Sequence, residues 1–137
     1  MTFVLDNSVA MRWCFDGITH PYAEAVLARL ASGEDAIVPI LWLYEASAVS
    51  ARAENRSTLA AEKASAFLAE LQSLNIATDE ESAARVFTDV HRLALTHRLT
   101  SYDAAYLELA IRRRVPLATL DDDLARASLA AGVVPLL

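Results

Sequence analysis

Carboxylates stand at four separated places in this sequence, each set against apolar neighbours. Asp6 follows the apolar run Thr2–Leu5 directly, and Asp121, Asp122 and Asp123 follow the run Pro116–Leu120. Glu45 has Leu41 and Trp42 one turn before it and Ala48 and Val49 one turn after; Asp103 heads a stripe of Tyr106, Leu107 and Ala110. Helical neighbours three and four apart share a face, so Glu45 and Asp103 are expected to point inward. A buried carboxylate is costly unless it is paired, protonated or bound to metal, and cationic residues are scarce in those segments. Carboxylates without histidine or cysteine select hard, oxygen-loving cations, here Mg²⁺ or Mn²⁺. Phosphodiester hydrolysis is a reaction such a set can run. Two ions roughly 4 Å apart can activate water, neutralise charge at phosphorus and stabilise the leaving oxygen. No protein nucleophile is then required.

Each acid also has a plainer role open to it. Asp6 and Asp121–Asp123 stand where helix caps are common. Asp103 is favoured at a helix start by the macrodipole, and a shifted helical phase would leave Glu45 on the surface. Their joint placement favours a site, because ligands of open α/β sheets gather at the carboxyl ends of strands. Ser8 and Thr119 sit beside the strand-end acids, where a hydroxyl can orient a carboxylate or a water; capping and strand propensity are their alternatives. Arg12 is a candidate for meeting a substrate phosphate. Arg112, Arg113 and Arg114 form a basic cluster suited to a phosphate backbone or to a helix C-terminus, and the second role is the better supported. His20, His91 and His97 lack ligand spacing relative to one another. Trp42 and Tyr44, like Tyr102 and Tyr106, read as core aromatics rather than stacking platforms.

The elements that must position these residues follow from periodicity and punctuation. Short strands are expected at Thr2–Leu5, Ala36–Val38, Asn75–Ala77, Pro116–Leu120 and Val133–Leu136. Helices are expected over Val9–Phe15, from Pro21 to Gly33, over Ile40–Glu54 and, after the caps Ser57 and Thr58, over Leu59–Leu74. A Thr78–Glu81 capping box opens a long helix to Arg98, Ser101 caps another running to Arg114, and Asp122–Ala131 forms the last. Gly17, Gly33 and Gly132 fall at turns. Strands alternating with helices imply right-handed crossovers and a mainly parallel sheet, an α/β fold built as a three-layer α/β/α sandwich.

The 137 residues suit a single domain spanning 1–137, and 55% apolar content supplies its core. Cys14 is the only cysteine, which excludes an internal disulfide and multi-cysteine metal sites. No secretory leader or membrane span is apparent, so a soluble, cytoplasmic protein is expected. A net charge of −6 is unusual for a nucleic-acid binder. Setting aside Asp6, Glu45, Asp103, Asp121 and Asp123 leaves −1, and bound cations would reverse the local sign.

The stretches VLDNSV, PILWLYEASAVSAR and TSYDAAYLELAIRRRVPLATLDDDL together resemble the PIN-domain family, and within it the VapC-type ribonuclease toxins of bacterial toxin–antitoxin pairs. The resemblance spans essentially the whole chain. It implies that Asp6, Glu45, Asp103 and Asp121 are metal-binding acids, that Asp123 matches a position acidic in only some members, and that Ser8 and Thr119 match small polar positions near the site. It further implies Mg²⁺- or Mn²⁺-dependent cleavage of RNA, a homodimer, and neutralisation by a cognate antitoxin. The rival from another class is a catalytically silent PIN-like module that binds RNA or protein. Haloacid-dehalogenase chemistry needs a second Asp where Ser8 stands. A receiver domain needs a lysine late in the chain, and the only lysine is Lys63. G-x-S-x-G and Walker motifs are absent.

Overall fold

A computed structural model describes residues 1–15 and 19–137, so Gly17 lies outside the described residues. Its centre is a sheet of β1 (Thr2–Leu5), β2 (Asp35–Val38), β3 (Ile76–Thr78) and β4 (Leu117–Ala118), ordered β3-β2-β1-β4 with every pairing parallel. Phe3, Val4 and Leu5 are all fully buried. Successive strand residues face opposite sides, so a run of three buried ones requires cover on both faces. Helices provide it, in the α/β arrangement expected: α1 (Asn7–Ala10), α2 (Pro21–Ala31), α3 (Leu41–Asn55), α4 (Ala61–Ser73), α5 (His91–His97), α6 (Ser101–Arg113) and α7 (Asp122–Ala130). No helix among the described residues is long and apolar enough to cross a membrane.

The strand order decides where a ligand can sit. The chain steps outward from β1 to β2 to β3, then returns to place β4 on the other side of β1. That reversal makes a topological switch point between β1 and β4, the place where ligands of open α/β sheets gather, at the strands' carboxyl ends. Leu5 is in register with Ala118, and the Asp6 amide donates to the Ala118 carbonyl at 2.9 Å. The segments carrying Asp6 and Thr119–Asp121 therefore leave the sheet side by side.

Several local expectations are corrected. Val133–Leu136 forms no strand; only a single parallel bridge joins Leu117 to Pro135. The strand expected over Pro116–Leu120 is cut to two residues, because the chain turns away to build the site. Thr78 ends β3 instead of capping a helix, and the long helix to Arg98 is broken into a 3₁₀ turn (Ser82–Arg85), a π turn (Val86–Val90) and α5. Ser57 and Thr58 do not cap α4: Thr58 Oγ1 donates back to the Ala53 carbonyl at 3.0 Å, and Ala60 holds the cap position. The cap of α6 is Thr100, one residue before Ser101. In α3 the buried stripe is Trp42, Ala46, Ser50 and Ala53. The inward face is thus turned by about one residue from the expected one, and Glu45 lies on its flank, half-buried.

Candidate active site

Asp6 occupies the cap position of α1, yet its side chain makes no cap bond. Its Oδ2 instead accepts from Ser8 Oγ at 2.6 Å and from Thr119 Oγ1 at 2.7 Å. These hydroxyls are tied down in turn. The Leu120 amide donates to Ser8 Oγ at 2.9 Å, and the Asp121 amide donates to Thr119 Oγ1 at 3.0 Å. Burial pushes the Asp6 carboxyl above its ordinary range, the two hydroxyls pull it back, and the Asp121 charge adds to the rise. Asp121 does cap α7, Oδ1 accepting from the Leu124 amide at 2.8 Å, so its plainer role is real. Its Oδ2 takes no hydrogen bond from a described residue.

Glu45 reaches the same place from α3. Tyr106, fully buried on α6, donates its hydroxyl to Glu45 Oε1 at 2.5 Å. Burial raises the Glu45 carboxyl, opposed by that hydroxyl and reinforced by the Asp6 charge. The Tyr106 phenol is itself pushed up, by burial and then by Glu45, and so remains a donor. Asp103, in the first turn of α6, is raised to about 6, by burial first and then by the charges of Asp121, Asp6, Glu45 and Asp123. That one carboxyl feels all the others is the clearest sign that the four acids converge.

None of Asp6, Glu45, Asp103 or Asp121 forms an ion pair with a described residue. Asp123 is 73% exposed and pairs with Arg126 at 3.2 Å. The buried amide oxygen of Asn7, beside Asp6, also lacks a donor. Among the described residues no three acidic, histidine or cysteine side chains are grouped closely enough to hold a metal ion as they stand. The donor chemistry nonetheless fits a hard divalent cation: oxygen ligands alone, mutually repelling, with no protein cation to neutralise them. Glu45, Asp103 and Asp121 are each partly exposed.

The basic residues divide. Arg12 is exposed on the 3₁₀ turn Met11–Trp13 that follows α1. Arg112 is not free for an RNA backbone. It donates to Asp79 Oδ2 at 2.7 Å, Glu108 Oε2 at 2.8 Å and Glu81 Oε2 at 3.1 Å. Arg113 and Arg114 are exposed at the far end of α6, on the order of 15 Å along the helix from Asp103 at 1.5 Å per residue. The aromatic pairs also split: Trp42 and Tyr106 are core, while Tyr44 and Tyr102 are 71% and 63% exposed. Sequence reasoning missed the Tyr106–Glu45 bond and the Asp79–Glu108–Arg112 cluster. The i, i+3 spacing of Asp103 and Tyr106 was the available signal for the first, and the i, i+4 spacing of Glu108 and Arg112 for part of the second.

The PIN domain family model matches residues 3–129, and the chain belongs to that family, whose members are generally nucleases. No curated protein matches the sequence. Among solved structures the chain is similar to VapBC2 from Rickettsia felis bound to a promoter DNA fragment, at 12% identity and a TM-score of 0.70, covering 99% of this chain and 98% of that one. It is similar to FitAcB from Neisseria gonorrhoeae at 19% identity and a TM-score of 0.66, covering 100% and 97%. It is also similar to PAE2754 from Pyrobaculum aerophilum at 19% identity and a TM-score of 0.64, covering 93% and 84%. At such identities the likeness is one of fold.

Proposed function

We propose that the chain is an endoribonuclease that cuts RNA with Mg²⁺ or Mn²⁺ held by Asp6, Glu45, Asp103 and Asp121. The observation that supports this is their convergence at the β1–β4 switch point with no cationic side chain of a described residue paired to any of them. A divalent cation held by these four carboxylates would supply Lewis acidity toward the phosphoryl group and would lower the pKa of a bound water. Asp6 is the fixed member, held by Ser8 and Thr119. Asp103 must give up its proton before it can act as a ligand, and a value of about 6 leaves it mostly ionised at pH 7. Asp123, exposed and paired with Arg126, is the outermost ligand candidate, and Arg12, exposed on the turn after α1, is the candidate for meeting a phosphate.

The likeness to VapBC2 and FitAcB supports a toxin of a toxin–antitoxin pair with a cognate antitoxin, and a homodimer is part of the proposed assembly. The test is incubation of total RNA with the purified protein in Mg²⁺, in Mn²⁺ and in EDTA, followed by mapping of the cut ends. Internal cuts with 5′-phosphate and 3′-hydroxyl ends, lost in EDTA, are expected. Ends carrying 2′,3′-cyclic phosphate would show attack by the ribose hydroxyl and overturn the mechanism. RNA retained intact on the protein in both metals would favour the silent binding module.

A further inference from the structure

Tyr106 is among the bulkiest fully buried side chains of the protein, and its hydroxyl is spent on Glu45. A buried tyrosine hydroxyl needs a partner, which a backbone carbonyl could supply. Here it joins two helices 61 residues apart in sequence and ends on an acid of the candidate site. The four acids are otherwise held differently. Asp6 is fixed by two hydroxyls, Asp121 by the Leu124 amide, and Asp103 sits in the first turn of α6 below Thr100. Glu45 has the longest side chain of the four, lies on the flank of α3, and makes no other side-chain hydrogen bond to a described residue.

We propose that Tyr106 is a positioning residue of the site, locking Glu45 through Oε1 and leaving Oε2 as its donor oxygen for the cation. The inference rests on the metal-dependent reading above. It makes α6 bifunctional: Asp103 contributes its own carboxylate, and Tyr106, one turn later on the same side of the helix, sets the carboxylate of another helix. Residues that orient a ligand typically change metal affinity 10–100-fold when lost.

The experiment is direct Mn²⁺ binding, followed by the spin resonance of free Mn²⁺ without RNA. Wild type, Tyr106→Phe, Glu45→Ala and the double variant are compared, each with a melt in EDTA to establish folding. Tyr106→Phe keeps the ring and removes the oxygen. About a tenfold loss of Mn²⁺ affinity is expected, with no further loss when the change is added to Glu45→Ala. Glu45→Asp, which keeps the charge but falls short of the hydroxyl and leaves the core untouched, should show a similar loss. Unchanged affinity in Tyr106→Phe, or a loss that persists undiminished in the Glu45→Ala background, would overturn the positioning role while leaving the metal reading intact. Full affinity in Glu45→Asp would do the same. Failure of the wild type itself to bind Mn²⁺ would overturn both, and is distinguished by being seen before any substitution.

Discussion

Two acidic groups lie in this molecule, and their electrostatics run in opposite directions. At one, Asp79, Glu81 and Glu108 surround Arg112, whose side chain is only 13% exposed. Burial pushes Asp79 up, but hydrogen bonds from Arg112 and Ser82 together with the guanidinium charge more than offset it, and the carboxyl ends below its ordinary value. Arg112 is raised in return, chiefly by Glu108 and Asp79. At the other, Asp6, Glu45 and Asp103 all lie above their ordinary values with no cationic side chain among the described residues paired to them. The same residue types thus serve opposite ends. A carboxylate with a built-in arginine is a staple, here joining the irregular chain after β3 to α6. Carboxylates held together without one store repulsion that an added cation can release.

The largest effect should come from breaking the staple. Arg112→Ala leaves Asp79 and Glu108, both 5% exposed or less in their side chains, without a counter-charge. Removing one partner of a buried pair costs about 3–5 kcal/mol, so a fall in Tm of roughly ten degrees or more is expected in a thermal melt. Mn²⁺ should not restore it. A drop of only a degree or two would mean that the cluster is more hydrated than its burial implies.

At the other group the sign reverses. Asp103→Asn removes one of several like charges and should raise the melting temperature in EDTA at pH 7. Because Asp103 is partly open to solvent, the gain is screened to about 1 kcal/mol or less, a few degrees at most. RNA cleavage should fall to background, and the stabilisation by saturating Mn²⁺ should shrink. A variant that melts lower in EDTA and gains as much from Mn²⁺ would make Asp103 a helix-start residue and nothing more.

The two groups should also separate along pH. Asp103 has a folded value of about 6 against an ordinary 3.8. The folded state therefore binds more protons in that interval, and this contribution to stability is present below about 4 and lost as pH rises to about 6. Asp79 is depressed, so its contribution is present above its ordinary value of 3.8 and lost as pH falls through the lower folded value. Melts in EDTA should show stability declining from about pH 4 to pH 6 in the wild type. The decline should be shallower in Asp103→Asn. An identical slope in wild type and Asp103→Asn would remove Asp103 from the group.

The smallest effect is expected at the exposed edges. Glu81 is 67% exposed and Asp123 is 73% exposed, each in a surface ion pair. Such pairs are worth about 0–1 kcal/mol, so Glu81→Gln and Asp123→Asn should shift Tm by a few degrees at most. If Asp123 is the outermost metal ligand, its variant should still need more Mn²⁺ for half-maximal cleavage. An unchanged Mn²⁺ requirement would confine Asp123 to its pair with Arg126.

The sequence by itself determined the parallel α/β scaffold and the position of Asp6 at its carboxyl rim. Apolar runs such as Phe3–Leu5 report burial on both faces, and an aspartate directly after a strand must lie at the sheet's carboxyl rim. These are local signals: strand and helix periods are written in neighbouring residues. Other features depended on contacts between residues far apart in the chain. No neighbour of Asp6 announces that Thr119, 113 positions away, will bond it. The choice between Asp6 as a helix cap and Asp6 as a member of a polar cluster was made by the pairing of β1 with β4. Nor could the sequence turn α3 by the one residue that moves Glu45 from the core face to its flank, because packing of Trp42 and Ala46 decides that rotation. Arg112, read as a surface cation beside Arg113 and Arg114, is claimed by Asp79 from 33 residues away. Likewise, the helix expected to run unbroken from Thr78 gives way where Asp79 turns to Ser82 and Arg112. Charge pairing is a question of distance in space, and only the tertiary structure set which acids received an arginine and which were left without one.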